Sequence, residues 1–115
     1  MRIVLPWPPS ELSPNKRQHW AVTAKAKKYY RTLCATEARF QGLDRMAAER
    51  LHLSLTFYPP TRRAFDLDNL LARMKSGLDG LADVMSVDDS RWSMAIQKAE
   101  KVGGYVEVTI TEQQA

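Results

Sequence analysis

The chain has 115 residues, 44% of them hydrophobic, with 17 Lys and Arg against 13 Asp and Glu and a formal net charge of +4. At that length one core in a single domain is the expectation. The single cysteine, Cys34, excludes an intramolecular disulfide and a cysteine metal cage, and it fits a reducing compartment. Nowhere is an apolar run long enough to span a bilayer, and that of "MRIVLPW" is too short for a signal sequence, so the expectation is one domain over residues 1–115, cytoplasmic and away from membranes. The charge is unevenly laid out. Met1 to Thr36 carries seven basic residues and one acid, Glu11, whereas Ala64 to Ala115 carries nine acids and five bases. A basic front half and a carboxylate-bearing rear half point to an anionic partner.

In chain order, "RIVLPW" is apolar and β-branched and reads as a strand, cut off by "PWPPSELSPN", whose four prolines prohibit regular structure. From about Lys16 to Gln41 there is no Gly or Pro, and Trp20, Ala24, Tyr30, Cys34 and Ala38 recur at helical spacing, predicting a long helix ended at Gly42. "LHLSLTFY" alternates strictly and predicts a strand with Leu51, Leu53, Leu55 and Phe57 on one face. Pro59 and Pro60 close it. Leu67, Leu70, Leu71, Met74, Leu78 and Leu81 then follow at spacings of three and four, predicting a second amphipathic helix from about Asp68 to Leu81. Gly77 and Gly80 imply either a close helix contact or an early end. "RWSMAIQKA" and "YVEVTIT" alternate and predict two strands, with "KVGG" as a hairpin turn between them. The order strand, helix, strand, helix, strand, strand predicts an α+β domain with a mixed sheet and two helices.

The chemistry is sought among the acids. Asp66 and Asp68 share one side if their segment is extended, and two adjacent carboxylates repel unless a cation lies between them. Mg²⁺ takes oxygen ligands and is commonly held by one or two carboxylates plus a substrate phosphate. Asp88 or Asp89, at the far end of the second helix, would supply a third. The bland alternative is that Asp68 caps the helix, Asp66 is solvated, and "SVDDS" is an ordinary turn.

"FDLDN", followed by a leucine-rich helix with "GLDGLA" and then "VDDS", resembles the acidic core of the RusA family of Holliday-junction resolvases. The opening "LPWPPSELSPN" with Trp20 is similar to the start of that family, so the resemblance runs from Ile3 to about Trp92. It implies a homodimeric crossover junction endodeoxyribonuclease of DNA recombination, repair or phage processing. Such an enzyme binds four-way DNA junctions and cuts phosphodiesters with Mg²⁺ or Mn²⁺, without a small-molecule cofactor. Carried over by position, the metal ligands and catalytic acids would be Asp66, Asp68 and Asp89, chosen over Asp88, with Asn69 completing the first motif. The family's catalytic lysine, one helical turn after the second acid, is here Ala72. Lys75 shares that face and is either its substitute or an i,i+4 partner for Asp79. The missing lysine keeps open a weak or inactive junction-binding protein.

Basic residues supply the expected DNA contacts. Lys25, Lys27, Lys28 and Arg31 form a stripe on the first helix, with Lys16, Arg17 and His19 at its start and no acid between Glu11 and Glu37. Such a stripe neutralises phosphates without reading sequence. Arg62 and Arg63 adjoin Asp66, and Arg73 lies near the missing lysine. Trp7 in its proline loop is the expected base-stacking aromatic, while Trp20 and Tyr30 are expected in the core. His19 and His52 have no partner at metal-ligand spacing.

Overall fold

Leucines at every second position and glycines where two helices must touch fix the architecture, seen in a computed structural model that describes residues 1–113. The strands are β1 (Arg2–Pro6), β2 (Arg50–Tyr58), β3 (Trp92–Lys98) and β4 (Tyr105–Gln113), and the helices are α1 (Trp20–Phe40) and α2 (Leu67–Met85). A short helical turn at Ser10–Leu12 interrupts the proline loop. The strands form one mixed sheet in the order β1-β4-β2-β3, giving the α+β domain that the element order predicts.

Strict alternation along β2 turns Leu51, Leu53, Leu55 and Phe57 to one face, where all are buried, as are Ile3, Leu5, Val106, Val108 and Ile110 of the neighbouring strands. Each such side chain contributes about 1.5–3 kcal/mol by leaving water. Tyr30, Cys34 and Ala38 of α1 and Leu70, Met74, Leu81 and Met85 of α2 complete that core. The opposite face of the sheet is polar, with His52 bonded to Ser93 at 2.7 Å and Gln97 to Thr56 at 3.0 Å.

The expected hairpin at "KVGG" does not form. β3 pairs with β2 in parallel, and β4 lies on the other side of β2, antiparallel to it. Once α2 carries the chain back along the sheet, β3 lands on the free edge of β2, so the next segment must cross the end of β2 to reach the other edge. Gly103 and Gly104 donate to Pro59 O and Tyr58 O at 2.8 and 2.7 Å during that crossing, and Gly104 takes a left-handed φ of 80°. The first helix starts at Trp20 rather than Lys16, because His19 caps it through Nδ1, which accepts from Ala21 N at 3.1 Å. The second runs past Leu81 to Met85 and closes on a left-handed Ser86.

Gly77 and Gly80 therefore mark a close helix contact rather than an end. A Cβ on Gly77 would lie 2.6 Å from Cε2 of Tyr30, and one on Gly80 would collide with the backbone carbonyl of Arg31. Replacing Gly80 by Ala should lower stability despite the better helix propensity of alanine. The intrinsic gain is about 1 kcal/mol, whereas overpacking against a backbone costs about 1–3 kcal/mol. Urea unfolding measures the balance, and a net gain would mean that the helices are free to separate.

Cys34 is sealed between the helices, and burial pushes its thiol up to about 12. The folded chain holds that proton more tightly than the unfolded chain, so the contribution is intact below the unfolded value of 9.0 and is lost as pH rises towards 12. The stability difference between wild type and Cys34→Ala should accordingly shrink across that window. A constant difference would show the thiol to be accessible.

Candidate functional site

The loop after β2 ends at Asp66, which is extended (φ −82°, ψ 135°) and holds the N-cap position of α2, its carbonyl accepting from Leu70 N at 3.0 Å. Its carboxylate makes no capping bond. Asp68 is already in the first turn, its Oδ1 accepting from Asn69 N at 3.0 Å. This corrects two expectations. Asp68 is not the cap, and alternation does not align the two carboxylates, because Leu67 between them is helical. Both side chains are nevertheless exposed, and among the described residues neither has a Lys or Arg nitrogen within 4.0 Å.

Asn69 faces Ser13 at 3.4 Å, holding the proline loop against the start of α2. The loop is further fastened by Arg73, whose Nη2 donates to Pro8 O at 2.6 Å while the guanidinium lies 5.9 Å from the Trp7 ring. Arg73 is only 7% exposed, so it is a buried member of the expected DNA-contact set rather than an open surface arginine. Burial, and next the Arg63 charge, pull its pKa down.

Asp88 and Asp89 follow α2 and have different partners. Asp88 caps the turn Asp89–Arg91 by accepting from Ser90 N at 3.0 Å, and hydrogen bonding from the Ser90 side chain first and its backbone next holds the Asp88 carboxyl below the usual range. Asp89 turns back to α2, where the Lys75 ammonium donates to it at 2.5 Å and to Asp79 at 3.1 Å. Both expected roles of Lys75 thus meet in one side chain: it is the i,i+4 partner of Asp79, and it also reaches an acid of the candidate set. The bond to Asp89 is the chief reason its pKa is raised. Asp66, Asp68 and Asp89 do not come together: among the described residues no three His, Cys, Asp or Glu side chains are grouped to hold a metal ion.

The basic residues separate into free and neutralised. Lys16, Arg17, Lys25, Lys27, Lys28, Arg62 and Arg63 are exposed and have no carboxylate within 4.0 Å among the described residues. Arg31 differs, because its Nε and Nη2 donate to the two oxygens of Asp83 at 2.7 and 2.8 Å. Its charge is therefore already matched, and it drops out of the unpaired stripe. Trp7 and Trp20 exchange their expected places, whereas Tyr30 is in the core as expected. Trp7 is half-buried and edge-on to Phe57 and Phe65 at 6.1 and 5.5 Å, while Trp20 and Tyr29 are 75% and 62% exposed. Trp20 lies on the outer side of α1, so the aromatics available to an unstacked base are on that helix.

Two adjoining cavities of about 450 and 390 Å³ share Ser13 and Lys16, the first between the proline loop and the start of α2, the second between the proline loop, α1 and α2. Asp66, Arg63 and Arg73 line the first, and Lys27, Lys75 and Ser76 the second. Ser76 has no motif to announce it, and Lys98, which donates to Phe65 O at 2.8 Å, arrives only because β3 is parallel to β2. Among the described residues no helix is long and apolar enough to cross a membrane.

The Lys75 bridge is exposed, with 60% of the lysine side chain open to solvent, and such pairs contribute little. Lys75→Met should change the unfolding free energy by less than about 1 kcal/mol. A loss of several kcal/mol in urea unfolding would make the bridge a structural clamp.

No family model matches the chain. A protein of Xylella fastidiosa, described as an uncharacterized protein, is 42% identical over 114 residues, which cover 95% of this chain and 74% of that protein.

Proposed function

We propose that this chain, which belongs to the same family as the Xylella fastidiosa protein, is a structure-selective endonuclease of the RusA kind. It binds four-way DNA junctions as a homodimer in the cytoplasm and hydrolyses phosphodiesters with Mg²⁺ or Mn²⁺. The observation that carries this reading is the mouth of α2, where Asp66 lines a cavity with Lys16 and Arg63 and Asp68 follows in the first turn, all four without an ion-pair partner among the described residues. Carboxylates that leave neighbouring cations unengaged are available to a metal, and cations that leave neighbouring acids unengaged are available to phosphate.

Asp66 and Asp68 fit an ion held by one or two carboxylates and a substrate phosphate. Asp89, as third ligand, does not fit while Lys75 holds it. When bound, the ion would lower the pKa of a water and offset charge on the reacting phosphoryl group. The remaining work falls to the chain's own groups. The Asn69–Ser13 contact fixes the loop beside the two acids, Arg63 supplies a donor fork for a phosphate near them, and Lys75 provides the next cation on the Asp68 face beyond Ala72. Two symmetric cuts require two such sites about a two-fold axis, hence the homodimer.

Ala72 and the Lys75–Asp89 pair favour a second reading, a junction-binding protein with little or no activity. A labelled four-way junction, with and without Mg²⁺, distinguishes the two. Metal-dependent symmetric cuts are expected, and Asp66→Asn, Asp68→Asn and Asp89→Asn should each abolish cutting while binding stays intact or tightens. Light scattering should give twice the chain mass. Junction binding without cutting supports the second reading, and equal affinity for junction and plain duplex would remove both.

A further inference from the structure

We propose that the trough between the proline loop, α1 and α2 is a two-subsite clamp for consecutive phosphates of one nucleic-acid strand, with buried Arg73 at the first subsite and Ser76 at the second. The proposal rests on the nucleic-acid reading above, and it names which residues grip the strand.

Arg73 and Ser76 contain the buried side-chain polar atoms without a hydrogen-bond partner among the described residues, Nε and Oγ respectively, and one lines each of the two adjoining cavities. Buried polar atoms are rarely left unpaired, and a buried guanidinium with no carboxylate partner is unfavourable. Fastening Pro8 O uses only Nη2. Fastening a carbonyl does not require a permanent positive charge, since a neutral amide can donate the same bond. The Nη1 edge has no protein partner among the described residues and is not among the sealed atoms, which leaves it for a ligand.

The surroundings specify an anion. Arg63 is close enough for its charge to disfavour that of Arg73, and Lys16 lines the same cavity, so like charges are held together with no protein acid paired to them at 4.0 Å among the described residues. Such a set is stabilised by a phosphate, whose oxygens accept from several donors at once. Lys16 also lines the second cavity, together with Lys27 of α1, Ser76 and Lys75 of α2, and Asp79, the one acid there, which Lys75 holds at 3.1 Å. Arg73 and Ser76 are three residues apart on α2 and hence neighbours on one helix face. The two subsites are therefore continuous, and a strand can occupy both without a break.

The test is equilibrium binding of a fluorescent single-stranded oligothymidine to the full chain in EDTA, at several salt concentrations. Arg73→Met should stay folded, with an equal or higher urea midpoint, yet bind at least about tenfold more weakly and flatten the dependence of log K on log[salt] by about 0.7. Ser76→Ala should weaken binding without changing the slope. Should Arg73→Met not fold, the exposed pair Lys16→Ala/Arg63→Ala must give twice the slope change. Unchanged affinity and slope in folded variants would make Arg73 only a loop fastener and overturn the clamp. A 5′-phosphorylated oligonucleotide should bind like its unphosphorylated form, and a requirement for the terminal phosphate would overturn the consecutive-phosphate reading. Because no metal is present, a chain that binds strands this way yet never cuts a junction upholds the clamp while the nuclease reading fails. Junction cleavage unaffected by Arg73→Met does the reverse.

Discussion

The seating of α2 against α1 is the constraint on which the rest of the structure depends. Gly80 admits the carbonyl of Arg31 into the space a Cβ would fill, and Gly77 admits the Tyr30 ring and Cys34. With that contact made, the rotation of α2 about its own axis is fixed. Met74, Leu78 and Leu81 must face the core, which turns Lys75 and Asp79 outward and leaves Arg73 and Ser76 at the boundary beneath the proline loop. A residue with a side chain at Gly80 would push the helices apart and widen every distance across the trough. The same Arg31 whose carbonyl meets Gly80 also extends its guanidinium to Asp83, so the contact is fastened from outside as well.

Charge in this protein is paired selectively. Arg31 with Asp83 and Lys75 with Asp79 and Asp89 are matched, and each contributes modestly because it is exposed. Among the described residues the cations of the loop and the first turns of α1, and the two acids at the mouth of α2, are left unmatched, although Asp66 shares a cavity with Lys16 and Arg63. A surface arranged for stability would have let them pair. Keeping them apart costs little in water and leaves both signs available to a ligand that itself carries phosphate and recruits cations.

What was legible in the sequence is what period and composition control. The alternation of Leu51 to Phe57 and the three-four spacing from Leu67 to Leu81 each encode one buried face, and the structure has those faces. Decisions made by distant segments were not legible. "KVGG" has the chemistry of a tight turn, yet whether β4 folds back on β3 depends on which edge of β2 is already taken. Trp7 and Trp20 are alike as letters; the first is captured by Phe57, Phe65 and Arg73, which lie far along the chain, whereas the second sits before the helix turns its apolar side to the core. Arg73 looks like any surface arginine until the proline loop closes over it. The candidate acids were legible as residue types; their separation, with Asp66 and Asp68 at the start of α2 and Asp89 beyond its end in the grip of Lys75, was not.

That separation bears on how such a site could work. The Lys75 ammonium lies between Asp79 and Asp89 and does there what a bound cation does, cancelling the repulsion of two carboxylates drawn together. A phosphate entering the trough offers the same ammonium an alternative partner, one that Lys27 and Lys16 also favour. Since the existing bridge is exposed and weak, the exchange has a small cost, and each ammonium hydrogen given to phosphate is one withdrawn from Asp89. In the proposed clamp, occupation of the trough by a strand and release of Asp89 from Lys75 are then two sides of one equilibrium. By linkage, whatever frees Asp89 tightens the grip on the strand, and whatever grips the strand frees Asp89.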